Sequence, residues 1–187
     1  MRHNSIALIG FMATGKSSVG EKLTESLGDD YRFIETDEII ENMAKKSIPK
    51  IFSEDGESRF REYEIEACKQ VSQYKKVVIS CGGGVVLNKI NIDYLKRNCY
   101  IVLLEASPDI IYERIIKNGK EKRPIIDKKN VREEIEKVLT FRKSFYEEAA
   151  DIIIDTSEKT INEIVEEILH KIDVKMKRAE KEKKTRI

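Results

Sequence analysis

Residues 5–17 read SIALIGFMATGKS, a short apolar run that passes directly into the pattern GxxxxGK[ST]. The apolar run predicts a buried strand over residues 5–9, and residues 16–27 carry apolar side chains at helical spacing. A glycine-rich loop that leaves a strand and opens a helix is the context that phosphate-binding loops require. The plainer alternative is an ordinary glycine turn with a surface lysine. Such a turn would not need the full GxxxxGK[ST] pattern, nor a strand before it and a helix after it, so it accounts less well for this sequence.

Each part of this loop has a role in binding the phosphates of a nucleotide. Glycines allow the backbone to curl so that successive N–H groups converge on phosphate oxygens, and the helix N-terminus adds its dipole. Lys16 can reach the β- and γ-phosphates, and the Ser17 hydroxyl can coordinate Mg²⁺. We therefore expect ATP as co-substrate and Mg²⁺ as cofactor. The ATP-binding residues predicted in this loop are Ala13, Thr14, Gly15, Lys16, Ser17 and Ser18.

The rest of the chain alternates between short apolar strands and amphipathic helices. Further strands are predicted at residues 31–35, 77–80, 100–104 and 152–154. Helices are predicted at residues 36–43, 48–74 with a break at Asp55-Gly56, 88–98, 108–116, 131–149 and 161–174. This alternation implies parallel pairing, so we expect a three-layer α/β sandwich around a five-stranded parallel sheet.

The chain is expected to form one domain over residues 1–174, because its length suits a single hydrophobic core. Residues 117–130 are rich in charge and poor in apolar side chains, which predicts a surface segment. Residues 175–187 are almost all charged. They form a C-terminal tail that is expected to extend the final helix or to fray into solvent.

Composition argues against several classes of partner. With 35 basic and 34 acidic residues the formal net charge is +1, so no bulk field favours nucleic acid or an anionic membrane surface. No apolar run approaches the roughly 20 residues that span a bilayer.

The three cysteines lack CxxC spacing, which argues against a disulfide framework or a zinc site and fits a reducing compartment. We expect a cytoplasmic monomer.

Four polar or glycine-rich features are predicted at the carboxyl edge of the sheet, where α/β proteins bind ligands. They are Glu35-Thr36-Asp37, Arg61, Gly82-Gly83-Gly84 and Arg142. A phosphate loop alone does not distinguish a switch GTPase, a motor ATPase and a small-molecule kinase. The guanine-reading pattern NKxD is missing from the sequence, since residues 88–91 read NKIN and lie too early in the chain. The short chain and the four features favour a compact kinase.

Together these motifs resemble the shikimate kinase family, which belongs to the nucleoside monophosphate kinase-like group of P-loop proteins. The resemblance extends from about residue 5 to about residue 172 and follows the family's order and spacing. It rests on GFMATGKSS at 10–18, ETDEIIE at 35–41, FREYE at 60–64, SCGGGVV at 80–86, KRPII at 122–126 and FRKSFYEEAAD at 141–151. The triple glycine with both arginines is much more specific than the phosphate loop.

The resemblance implies that ATP phosphorylates the 3-hydroxyl of shikimate, a step of aromatic amino acid biosynthesis through chorismate. It makes Lys16, Asp37 and Arg123 the catalytic residues. Asp37 would orient or deprotonate the attacking hydroxyl. Arg123 would reach over the phosphates from a lid at about residues 117–130, which would close and exclude water.

The resemblance also assigns the residues that bind shikimate. Arg61 and Arg142 would clamp its carboxylate, which suits the planar guanidinium group. The glycines Gly82, Gly83 and Gly84 would border the substrate. The backbone N–H of Gly83 would be offered where a side chain would clash.

Three further positions are expected around ATP and the metal. Arg114 would lie near the adenine, and Ser80 would contact Mg²⁺ or its waters. Glu35 stands where the family usually has an aspartate that is associated with the Mg²⁺ water shell. Contact through water tolerates the extra methylene better than direct coordination does, because Mg²⁺ usually keeps several waters.

Each assignment has a plainer alternative that the sequence leaves open. Asp37 could cap a helix, and Arg61 could pair with Glu57 or Glu64 on its own helix. Arg142 could be a solvated side chain, and Arg123 could be one more charge on a surface loop. The alternative functions are another small-molecule kinase, for gluconate or a nucleotide, and a nucleotide-binding protein without catalysis.

Overall fold

The computed structural model describes residues 4–117 and 130–185. Within these ranges lies a sheet of five parallel strands in the order β2-β3-β1-β4-β5. The strands are β1 (Ser5–Ile9), β2 (Arg32–Glu35), β3 (Val77–Ser80), β4 (Cys99–Glu105) and β5 (Ile152–Asp155). The predicted strands and their parallel direction are confirmed, with ends that differ by one residue at most.

Helices cover both faces of this sheet. They are α1 (Lys16–Leu27), α2 (Thr36–Ala44), α3 (Ile48–Glu54), α4 (Gly56–Val71), α5 (Lys89–Leu95), α6 (Pro108–Lys117), α7 (Val131–Ala149) and α8 (Ile161–Thr185). The predicted segment 48–74 divides into α3 and α4 at Gly56, whose φ of +83° favours glycine. A short 3₁₀ helix, Val85–Leu87, follows the triple glycine and lies outside every predicted element.

The last helix is longer than its apolar pattern predicts. It begins at Ile161 as expected and continues to Thr185, so residues 175–185 extend the helix. Lys175 supports this extension through a contact of 3.2 Å between its ammonium and Oδ1 of Asp151. No helix within residues 4–117 and 130–185 has the length and apolar character needed to cross a membrane.

The three central strands, β3, β1 and β4, bury both of their faces, and each face is covered by a layer of helices. One face includes Leu8 and packs against Leu23 of α1 and Ile168 of α8. The opposite face includes Ile79 and Ile101 and packs against α4, α5 and α7. Because successive strand side chains point to opposite faces, the nearly continuous apolar strand sequences supply both cores. The predicted three-layer α/β sandwich is confirmed.

The central pair of strands brings two loops together. β1 and β3 pair in parallel, with Ile6 opposite Val78 and Leu8 opposite Ser80. The pairing continues one step beyond β3, where the N–H of Cys81 donates to the carbonyl of Leu8 at 3.0 Å. Since the two strands run in the same direction, the loop after β1 and the turn after β3 lie side by side at the carboxyl edge of the sheet.

The packing of the sheet predicts the reactivity of the three thiols. Cys68, Cys81 and Cys99 are free and buried. Burial raises the pKa of all three thiols, that of Cys99 to about 12. Because alkylation requires an accessible thiolate, we expect iodoacetamide at about pH 8 to leave the native protein unmodified. The same treatment in guanidinium chloride should modify every cysteine, as measured by intact mass. Equal alkylation rates in the two conditions would contradict this packing.

Candidate active site

The loop after β1 has the backbone shape of an anion-binding loop. Gly10, Ala13 and Gly15 have φ values of +141°, +60° and +97°, so the chain curls tightly before α1 begins. Curled backbone of this kind directs successive N–H groups toward one point. Gly10 is also sterically required, since a Cβ there would lie 2.1 Å from the carbonyl oxygen of Leu104.

Lys16 closes this loop with its ammonium group. Its Nζ donates to the carbonyl of Gly10 at 2.9 Å and to the carbonyl of Phe11 at 2.8 Å. The hydroxyl of Thr14, which is buried, donates to the same carbonyl of Phe11 at 2.9 Å. A positive charge is therefore held at the loop, next to the N-terminus of α1, where two favourable fields for a phosphate coincide.

Oxygen ligands suitable for a hard cation lie beside the loop. The hydroxyl of Ser17 donates to Oε1 of Glu35, so the longer glutamate side chain reaches the serine directly. Glu35 ends β2 and lies opposite Ser80 of β3 in the sheet register. In the described part of the chain, no three His, Cys, Asp or Glu residues form a metal cluster. A site with few protein oxygens fits Mg²⁺, which usually takes its remaining ligands from phosphates and water.

Asp37 lies in the first turn of α2, at the edge of the triple-glycine turn. The residue at the N-cap is Glu35, and its side chain makes no capping bond, so Asp37 is not the cap that the plainer alternative describes. A Cβ at Gly82 would lie 2.9 Å from Oδ1 of Asp37. The neighbouring Thr36 hydroxyl accepts from the N–H of Gly82 at 3.0 Å and joins α2 to this turn.

Arg61 makes both ion pairs that the plainer alternative allowed. Oε1 of Glu57 accepts from Nε at 3.3 Å and from Nη2 at 2.9 Å, and Oε2 of Glu64 accepts from Nη1 at 2.9 Å. These contacts use three of the five guanidinium N–H groups. They also hold the group against the turn, since a Cβ at Gly84 would lie 2.5 Å from Nη1 of Arg61. Pairing and ligand binding are therefore compatible.

Glu64 is a buried carboxylate behind Arg61, with a side chain that is almost fully enclosed. Burial raises the pKa of the Glu64 carboxyl, the Arg61 guanidinium opposes the shift, and the charge of Asp37 adds to it. The amide of Asn91, also buried, donates to Oε2 of Glu64 at 3.3 Å and to the carbonyl of Val85 at 3.1 Å. Glu64 thus couples Arg61 to the segment that follows the triple glycine.

Arg142 reaches the middle of the triple-glycine turn from α7. Its Nη1 donates to the carbonyl of Gly83 at 2.9 Å, so Arg142 is not simply a solvated side chain. A Cβ at Gly83 would lie 3.5 Å from both the carbonyl oxygen of Gly10 and the nitrogen of Met12, which is ordinary contact. Of these three glycines, Gly82 and Gly84 are the positions where a Cβ would come too close to other atoms of the protein. The turn and the phosphate loop therefore lie side by side at Gly83.

Arg114 supports the phosphate loop from α6. Its Nη1 donates to the carbonyl of Ala13 at 3.3 Å and its Nη2 to the carbonyl of Thr156 at 2.6 Å. The buried hydroxyl of Thr156 donates to the carbonyl of Thr14 at 3.1 Å. Contact with adenine stays a prediction for Arg114. Arg123 lies outside the described residues.

The structure places the described residues that the sequence named for phosphate and shikimate on the phosphate loop and around the triple-glycine turn, and it adds three polar side chains that the sequence analysis did not name. They are Asn91, Tyr146 and Thr156, all buried at the carboxyl edge of the sheet. Glu64, named from the sequence only as a possible partner of Arg61, joins them as a buried carboxylate. The signal for Tyr146 was available, because it follows Arg142 by four positions and so lies on the same helix face.

The chain matches the family model for shikimate kinase over residues 12–173. It belongs to the shikimate kinase family. A shikimate kinase from Caldanaerobacter subterraneus subsp. tengcongensis is 42% identical over 165 residues, which cover 88% of this chain and 94% of the relative. Within this family the chain is an ATP-dependent phosphotransferase, as the motifs predicted.

Solved structures agree with this family and with the fold. The structure of shikimate kinase from Acinetobacter baumannii in complex with shikimate has a TM-score of 0.85 and 28% identity to this chain. The match covers 92% of this chain and 94% of the Acinetobacter baumannii chain. A gluconokinase from Sinorhizobium meliloti has a TM-score of 0.63 and 18% identity, with coverage of 97% and 99%, and shows a shared fold alone. The predicted fold type is confirmed.

The raised pKa of Glu64 predicts how stability depends on pH. A carboxyl whose native pKa lies above its unfolded pKa stabilises the fold fully below the unfolded value, about 4.3, and this contribution is lost as pH rises through the native value. Glu64→Gln mimics the protonated carboxyl and removes the pH dependence of stability that this group causes. We expect the free energy of unfolding of the wild type, measured by urea titration relative to Glu64→Gln, to fall as the pH rises above about 4.3.

Glu66→Gln is the matched control, because Glu66 is exposed on the same helix and pairs with Lys69. Its relative stability should change little over that interval. A wild type that instead gains stability relative to Glu64→Gln with rising pH would show that the ion pair with Arg61 outweighs burial.

Proposed function

We propose that this protein transfers the γ-phosphate of ATP to the 3-hydroxyl of shikimate, giving shikimate 3-phosphate in aromatic amino acid biosynthesis through chorismate. One observation carries the proposal: the triple-glycine turn lies beside the phosphate loop, and Asp37, Arg61 and Arg142 all lie next to this turn. Membership in the shikimate kinase family supports shikimate as the acceptor.

On the donor side, we assign Lys16 and the backbone N–H groups of residues 13–18 to the phosphates of ATP. A side-chain rotation would carry the Lys16 ammonium from the loop carbonyls to the β- and γ-phosphates, which offer it a stronger, charged acceptor. We assign Mg²⁺ to the Ser17 hydroxyl, with Glu35 and Ser80 acting through water. When bound, Mg²⁺ neutralises charge on the transferring group.

The remaining assignments on the donor side concern two arginines. Arg114 is fixed between the phosphate loop and Thr156, and its guanidinium plane offers a surface on which adenine would stack. Arg123 lies outside the described residues, and we assign it to the phosphates on the strength of the family resemblance. Its charge would stabilise the transferring phosphoryl group.

On the acceptor side, Arg61 and Arg142 approach the turn from two different helices, so a carboxylate between them would receive charge-assisted hydrogen bonds from both. Asp37 lies next to Gly82 of the turn, where its carboxylate would accept the proton of the attacking hydroxyl. Phosphoryl transfer requires little covalent chemistry from the protein, so holding the hydroxyl in line with the γ-phosphate is the main contribution of these residues.

We also propose that the enzyme works as a cytoplasmic monomer. One chain carries the side chains assigned to both substrates, so no second copy is required for a complete site. Three free cysteines fit the reducing conditions of the cytoplasm.

Comparison of acceptors tests the proposed function directly. With ATP and Mg²⁺, shikimate should support ADP release, whereas gluconate and nucleoside monophosphates should not raise it above the rate without acceptor. A coupled assay of ADP measures this. Gluconate is the most informative comparison, because it also offers a carboxylate and hydroxyls to the two arginines. Faster release with gluconate or a nucleotide would identify another small-molecule kinase. Binding of ATP and shikimate without turnover would identify a catalytically inactive protein.

The role of Asp37 is tested by Asp37→Asn, which keeps the shape of the side chain but removes its basicity. We expect kcat to fall by about 100-fold or more, since proton transfer by a positioned base contributes that much, while ATP binding survives. Asp93→Asn is the control, because Asp93 is an exposed aspartate of α5 paired with Lys89. Undiminished turnover with shikimate in Asp37→Asn would exclude both the base and the orienting role.

A further inference from the structure

We propose that Tyr146 is a positioning residue for shikimate binding. Its phenol hydroxyl holds the peptide between Gly83 and Gly84 and thereby sets the direction of Arg142. This inference rests on the function proposed above, and it names a residue that acts through the triple-glycine turn rather than by touching substrate.

The evidence begins with two donors that meet on one acceptor. The hydroxyl of Tyr146 donates to the carbonyl of Gly83 at 2.5 Å, and Nη1 of Arg142 donates to the same carbonyl at 2.9 Å. The two side chains lie four positions apart on α7, which places them on one helix face. A carbonyl oxygen has two lone pairs, so this pair of donors occupies both. The direction of the Gly83 carbonyl is therefore determined by α7.

A fixed carbonyl determines the whole peptide unit. Because the peptide bond is planar and trans, the Gly83 carbonyl and the Gly84 N–H point in opposite directions. A carbonyl drawn toward α7 therefore turns the Gly84 N–H away from α7. Arg61 packs against Gly84, since a Cβ there would lie 2.5 Å from its Nη1. The two arginines that we assign to the carboxylate therefore lie next to the two residues of this one peptide unit.

Tyr146 is suited to this role because it is rigid and stays a donor. Its ring is only 4% exposed and belongs to the core beneath β1 and β4. Burial raises the pKa of the phenol, so the hydroxyl keeps its proton at neutral pH. A buried ring cannot follow a moving turn, so the hydroxyl acts as a fixed reference for the Gly83 carbonyl.

Part of the Arg142 guanidinium group stays available to bind the substrate. Its Nη1 is committed to Gly83, while its buried Nε has no hydrogen-bond partner in the described part of the chain. Nε and Nη2 form the side edge of the guanidinium group, which matches a carboxylate with two parallel hydrogen bonds. An unsatisfied buried donor is costly. Tyr146 therefore helps to hold Arg142 with this edge available.

Tyr146→Phe tests the inference, because it removes the hydroxyl and keeps the ring in the core. Loss of one hydrogen bond to the turn should raise the KM for shikimate about three- to ten-fold. The KM for ATP and kcat should change by less than about two-fold, because the loop that binds ATP is held by other contacts. Tyr74→Phe is the matched control: it also loses a hydroxyl that is hydrogen-bonded, to Gln70 at 2.8 Å, but at the opposite edge of the sheet. It should leave all three constants unchanged.

A double-mutant cycle with Arg142→Lys distinguishes positioning from general loosening of the core. If Tyr146 acts through Arg142, Tyr146→Phe should raise the KM for shikimate much less in the Arg142→Lys background than in the wild type. Equal effects in both backgrounds, equal effects on both substrates, or an unchanged KM for shikimate would each overturn the inference. Those results would leave the proposed function intact. A wild type that releases no ADP with shikimate would refute the proposed function instead.

A fluorinated tyrosine at position 146 covers the case in which Tyr146→Phe does not fold. Ring fluorines lower the pKa of the phenol and keep its shape. The KM for shikimate should then rise at alkaline pH as the hydroxyl loses its proton, while the KM for ATP should show no such rise. A KM for shikimate with the same pH profile as the wild type would overturn the inference.

Discussion

The parallel pairing of β1 with β3 is the constraint on which the whole site depends. It places the loop that begins at Gly10 beside the turn that contains Gly83, so close that a Cβ at Gly83 would contact the Gly10 carbonyl at 3.5 Å. A backbone bond from Cys81 to Leu8 continues the pairing to the edge itself. The donor and acceptor halves are therefore joined by main-chain contacts. The sheet has therefore already determined the distance between the phosphate loop and the triple-glycine turn, and side chains only adjust it.

Charge around the acceptor half is balanced within the protein. Arg61 has carboxylates on two sides, from Glu57 and the buried Glu64, and still keeps N–H groups for a ligand. Such partners restrict the rotation of a long side chain, so less conformational entropy is lost when a carboxylate binds. The cost is a buried acid whose ionisation is opposed by burial and by Asp37. This organisation explains how a chain with a net charge of +1 can present a local cationic clamp.

Sequence patterns determine the architecture of this protein more completely than its site. Apolar runs of strand length identify all five strands of the described sheet, and the phosphate loop identifies the donor half. The predicted break at Asp55-Gly56 is confirmed at Gly56, but the order of the strands depends on tertiary packing, which no local pattern contains. For the same reason the burial of Glu64 and the contact of Tyr146 with the turn escape notice: a helix pattern does not tell whether a polar side chain faces solvent or a neighbouring turn. Arg61 and Arg142 could be placed at the carboxyl edge from the sequence, but their role in binding a carboxylate came only through the family resemblance.

The most direct test of this account is a crystal structure of the protein with shikimate and a non-hydrolysable ATP analogue. The account predicts that the shikimate carboxylate lies between Arg61 and Arg142, with the 3-hydroxyl at Asp37 and facing the γ-phosphate at Lys16. Shikimate bound with its carboxylate away from both arginines, or on the far side of the triple-glycine turn from the phosphate loop, would contradict it.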